Sequence, residues 1–142
     1  METESFDNSV YPVNCGKAIV FQLCSEGPES DPSTLKGNEK DAEDLKLILQ
    51  KFNFDVIIEK DKTKKEIKER LEAVSKEDHD KIDAILVAVL THGNEEGLKA
   101  KDVLYDPQEI LFQPFKNEAL AEKPKIFLIA ACRGSQVNLI FL

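Results

Sequence analysis

Two rhythms of apolar and polar positions alternate along the chain. Residues 17–23 (KAIVFQL), 55–59 (DVIIE), 84–90 (AILVAVL) and a run ending in KIFLIAA at Ala131 are short, apolar and rich in β-branched side chains, the pattern of buried strands. Helical spacing fills the stretches between them. Leu45, Ile48, Leu49 and Phe52 fall at i, i+3, i+4 and i+7, which predicts one inward helix face within 40–52. Thr63 followed by Glu66 has the spacing of a capping box. The helix it opens has Ile67, Leu71 and Val74 on its inner side and should run to about Ser75. Asp106-Pro107 with Glu109 predicts a cap and first turn for a short helix reaching Phe115. Residues 24–38 (CSEGPESDPSTLKGN) collect Gly, Pro, Ser and Asp and predict a loop.

Strands alternating with helices build right-handed crossovers. The expected fold class is therefore α/β, a mostly parallel sheet with helices on both faces. AILVAVL, apolar throughout, suits a strand covered on both sides. In such sheets functional groups gather beyond the carboxyl ends of the strands. His92 follows the strand expected to end at Leu90, and Cys132 follows the one ending near Ala131. Both are expected at the same sheet edge.

Composition narrows the partners. The 142 residues, 42% hydrophobic and 32% charged, suit one soluble globular domain. A net charge of -8 and a pI near 4.8 exclude nucleic acid and anionic membrane as the main partner. The lysine-rich stretch 60–70 is interleaved with Asp61, Glu66 and Glu69 and reads as a solvated helix face. The apolar run 84–90 is too short to span a bilayer. Residues 1–10 are acidic, lack the layout of a secretion signal and read as a flexible N-terminus. Three cysteines, Cys15, Cys24 and Cys132, without framework spacing, point to reduced thiols and a cytoplasmic setting.

A thiolate is the attacking form of cysteine, and an adjacent imidazole can stabilise it and later protonate a leaving amine. Gly93, with no side chain, can present its N–H closely, and the Cys132 N–H lies in a tight turn; together they can form an oxyanion hole. These parts serve peptide-bond hydrolysis through an acyl-enzyme. The blander alternatives are a small buried cysteine and a solvated histidine. HGNEEG offers one His and two Glu without a ligand pair at metal spacing, so no metal and no cofactor is expected. GNEKDAEDL has one glycine with acids close behind and is no phosphate loop. His79, among acids in SKEDHDKID, reads as solvent-facing.

The words around these residues are more specific. ACRG (131–134) after KPKIF, LTHG upstream, KGNEKDAEDL before a helix, FNFDV, DKTKKEI and VSKEDHDKIDAILVAVLTHG together resemble the large catalytic subunit of a caspase, in the family's order, over residues 11–134. The 40-residue separation of His92 and Cys132 is shorter than the family's roughly 50, as a trimmed connecting loop would give. The resemblance implies a caspase-like sheet, His92 as general acid/base, Cys132 as nucleophile, and Gly93 and Cys132 as oxyanion-hole donors. It also implies cleavage after aspartate in proteins, a part in programmed cell death, and an executioner-like type. Residues 135–142 would be a C-terminal tail leading toward a small subunit absent from this sequence. That subunit, or another caspase, is the expected partner.

Two positions depart from the family. The substrate aspartate is held by an arginine two residues before a glycine, a glutamine two before the cysteine, and an arginine of the small subunit. With Gly37 as that glycine, the first position is Leu35, and the second is Ala130. Lys36 is adjacent, but in an extended segment it would point away from Leu35. No aspartate follows Asp106 where a maturation cut is expected. The specificity pocket is thus expected to be degraded, with weak or no activity toward aspartyl substrates and a role as regulator or decoy of an active caspase. The competing expectation is an active cysteine endopeptidase with a rebuilt pocket or a separately supplied small subunit.

Overall fold

Strict alternation of side chains across a pleated backbone sorts this chain's strand residues onto two faces. A computed structural model describes residues 13–24, 32–77, 79–94, 96–116, 122–131 and 137–141. In β1 (Gly16–Gln22), Ala18 and Val20 face one side and Ile19 and Phe21 the other. In β3 (Ala84–Thr91), buried along its whole length, Ala84, Leu86, Ala88 and Leu90 separate from Ile85, Val87 and Val89 in the same way. With β2 (Phe54–Lys60), β7 (Lys125–Ala131) and β8 (Val137–Phe141) these strands form one sheet in the order β2–β1–β3–β7–β8. Only β8 runs antiparallel to its neighbour.

Helices cover both faces. On one, α1 (Pro32–Lys51) places Ala42, Leu45 and Leu49 over Val20, Val56 and Leu86. On the other, α2 (Lys64–Ser75) and a short helical segment bury Ile67, Leu71, Val74, Ile110, Leu111 and Phe115. The capping box at Thr63 is formed in both directions, with the Glu66 N–H donating to the Thr63 hydroxyl and the Thr63 N–H to the Glu66 carboxylate. The segment after Pro107 is a π-helical turn (Gln108–Phe112) running into a 3₁₀ turn (Gln113–Phe115), where a short regular helix is expected from the sequence.

Two expectations are corrected. First, α1 starts at Pro32, so residues 32–38 are helical where a loop is predicted; proline suits a first helical turn, having no N–H to lose there. Leu35, Lys36 and Gly37 are therefore helical rather than extended, and the opposed placement expected of Lys36 does not hold. Second, Ile48 and Phe52 are 52% and 63% exposed rather than inward. The buried stripe is Ala42–Leu45–Leu49, centred on the small Ala42, and Ile48 lies about a quarter-turn off it. Phe52 leaves the helix altogether, because the chain turns at Asn53, whose φ is 68°. Residues 137–141, within the C-terminal stretch expected to lead toward a small subunit, form the edge strand β8.

A carboxylate pins the start of β1. Asp83 accepts from the N–H groups of Asn14 at 2.8 Å and Cys15 at 3.0 Å, and those two bonds hold its pKa below the ordinary 3.8. A depressed carboxylate stabilises the fold above its unfolded pKa, and that contribution fades as pH falls through the folded value. Exchange protection of the Asn14 and Cys15 amides should fall below about pH 4 while amides within β3 stay protected. Asp83→Asn should flatten that pH dependence, read by amide exchange corrected for intrinsic rates.

Candidate active site

β3 is buried to its last residue and releases the chain at His92, which is half-buried. β7 lies beside it in parallel register, with Leu90 opposite Ala130 and Thr91 opposite Ala131. Adjacent strands sit about 4.8 Å apart, so Thr91 and Ala131 end their strands side by side. Cys132 and the rest of the ACRG turn lie outside the described residues. The register brings together the two strand ends that lead to His92 and to Cys132.

Beyond His92 the chain forms a second, three-stranded sheet absent from the sequence expectations: β4 (Gly93–Asn94), β5 (Gly97–Lys99) and β6 (Leu104–Tyr105). The Lys99 N–H donates to the His92 carbonyl at 2.8 Å, making His92–Lys99 a hydrogen-bonded pair. By the alternation of antiparallel ladders, Gly93–Leu98 is then a non-hydrogen-bonded pair, and the Gly93 N–H points away from β5. The buried Thr91 hydroxyl donates to the Lys99 carbonyl at 2.6 Å and ties this hairpin to the end of β3. Gly97 has a φ of 153°, and a Cβ there would run into the Tyr105 carbonyl oxygen, so the turn requires glycine.

A third anchor joins the hairpin to α2. Asp102 accepts from the Lys64 N–H at 3.0 Å, at the positive end of that helix, and this bond leads in holding its carboxyl below the usual range. The Lys101 N–H donates to the Lys62 carbonyl at 3.0 Å. Thr91, Gly97 and Asp102 went unread in the sequence. The cue was present in HGNEEGLK, two glycines four apart around polar residues, a hairpin signature.

The two departing positions stand on the same edge. Ala130 is half-buried on the α1 side of the sheet, with Ile126 and Leu128. Because α1 follows β1 and precedes the parallel β2, its first turns, which contain Leu35, stand at the carboxyl edge of the sheet. His79 does not join them. It lies in a single 3₁₀ turn ahead of β3, at the opposite edge. Among the described residues no group of three or more His, Cys, Asp or Glu side chains is placed to hold a metal ion. No helix among them is long and apolar enough to cross a membrane.

Comparison with known proteins agrees with this fold. Residues 16–139 match the model of the caspase domain. Caspase drICE of Drosophila melanogaster is 34% identical over 130 residues, covering 88% of this chain and 37% of its own length. Caspase-1 of Spodoptera frugiperda is 36% identical over 128 residues, covering 87% of this chain and 42% of its own length. A solved structure described as pro-sf-caspase-1 superposes with a TM-score of 0.75 at 33% identity, over 88% of this chain and 54% of that one. The chain thus spans about two fifths of the length of these curated relatives.

Proposed function

Because this chain belongs to the caspase family, we propose that it is a member that keeps the Cys132–His92 pair, has lost the grip on a substrate aspartate, and regulates an active caspase by binding it. The observation that carries the reading is Leu35 and Ala130 at the two positions where the family's pocket has an arginine and a glutamine. Leucine beside a buried carboxylate offers no donor and removes water from the charge. The groups that would cut the bond are retained. Cys132 attacks the carbonyl as thiolate, the Cys132 and Gly93 N–H groups hold the oxyanion, and His92 protonates the leaving amine.

Binding rather than turnover is then the output. A partner that adds a strand on the β7 side meets β8, or displaces it, since β8 already pairs along β7 from Ala130 to Ile126. Addition of the chain to an active caspase is expected to change that enzyme's rate, and Cys132→Ala should leave the change intact. Ordinary turnover of an aspartyl peptide by this chain, abolished by Cys132→Ala, would remove the reading.

A second reading, an active cysteine endopeptidase with a rebuilt pocket, is favoured by the outward-pointing Gly93 N–H and the His92 placement. It predicts covalent labelling of Cys132 by a peptide electrophile, lost in His92→Ala and followed by mass spectrometry. Failure of every electrophile in a panel varied at the residue before the cut would end it.

A further inference from the structure

Tyr105 ends β6 with its ring in the α2-side core, 2% exposed, and its hydroxyl has no hydrogen-bond partner among the described residues. A phenol taken out of water without a partner forfeits its hydration and recovers nothing. Burial also pushes its pKa well above the usual tyrosine value, so the hydroxyl is neutral and able both to donate and to accept. Tyr105 lines a small, partly open pocket whose space for the centre of a water is about 10 Å³. That is the room one water needs and too little for any larger ligand.

The lining supplies more than one polar group. Gln22 comes from the carboxyl end of β1, Thr91 from that of β3, Lys99 from β5 and Lys62 from the segment before α2, while Phe21 and Val89 close the apolar side. Thr91 has its proton committed to the Lys99 carbonyl, at 2.6 Å, so its oxygen can still accept. Dry cavities are apolar ones, and a water is held where two to four polar partners converge.

We propose that this pocket is a bound-water site, in which one water accepts from the Tyr105 hydroxyl and donates to Thr91 Oγ1. The water links β6 to the last residue of β3 and so fastens the three-stranded sheet, with Gly93 in it, onto the main one. The site stands on the fold and does not depend on whether catalysis or specificity survives.

Tyr105→Phe removes one oxygen and leaves the ring, so the variant separates a hydrated site from a dry one by sign. A water-bonded hydroxyl predicts a melting midpoint lowered by about 3–6 °C for a chain of this size. It also predicts faster exchange of the Lys99 amide, with amides inside α1 unchanged. A dry cavity predicts a midpoint that holds or rises, because an orphan hydroxyl has been deleted, and that result overturns the proposal. A crystal structure showing ordered solvent should place a water within hydrogen-bonding distance of Tyr105 Oη and Thr91 Oγ1. Clear density for the side chains with none between them also overturns it.

Discussion

The double variant Leu35→Arg/Ala130→Gln, paired with a caspase small subunit, is expected to hydrolyse an Asp-terminated peptide about 10²–10⁴ times faster than the parent chain paired in the same way. The magnitude follows from two hydrogen bonds to a charged group, at about 1.5–3 kcal/mol each, with 1.4 kcal/mol for each decade of rate. Both donors grip one carboxylate, so the single variants should fall short of half the logarithmic gain each, and coupling should appear in the cycle. The readout is kcat/KM, with Cys132→Ala as the blank.

Neither change conflicts with the backbone it enters. Position 35 is inside α1, where arginine is among the better helix formers. Ala130 is the last but one residue of β7 and half-buried, beside the α1-side core. A parent chain that already hydrolyses the peptide at the double variant's rate would show that the pocket was never lost. The result also discriminates between the two functional readings. A gain says that nucleophile and imidazole were waiting for a substrate; no gain, with labelling of Cys132 intact, says that the pocket has been rebuilt around another residue.

The sheet was legible because its signal is redundant. AILVAVL and KIFLIAA are apolar on both faces, and only a strand between two helical layers uses such a run. The capping box at Thr63 was legible for a local reason: its two hydrogen bonds lie within four residues of sequence. What escaped depends on distant partners. The inward stripe of α1 is set by what Ala42 can approach, and helical spacing alone favoured the larger Ile48 and Phe52. β8 exists because β7 offers it an edge, and nothing within its own few residues announces that pairing. The hairpin after His92 is held by a threonine, an aspartate and a glycine whose partners lie up to 38 residues away.

The same dependence on packing marks the position where one substitution should do most damage. Phe127→Ala is expected to cost about 3–5 kcal/mol, at the upper end for a buried aromatic. Phe127 is 1% exposed and meets two rings edge-on, Phe112 with centroids 4.8 Å apart and Phe115 at 5.8 Å. Such pairs add about 0.5–1.5 kcal/mol each beyond the area they bury. Against a total of roughly 5–15 kcal/mol for a domain, the loss is a large fraction. These contacts dock the π- and 3₁₀-helical turns of 108–115 onto β7, a segment too irregular to be held by its own backbone bonds. Urea unfolding should show a lower midpoint with an unchanged slope, and Phe127→Leu should recover most of it. Because β7 also carries the register that sets Ala131 beside Thr91, electrophile labelling of Cys132 should weaken in Phe127→Ala before the chain unfolds globally. A loss below about 1 kcal/mol would mean that the neighbouring rings close over the gap, and that the aromatic cluster does not hold β7 where the site needs it.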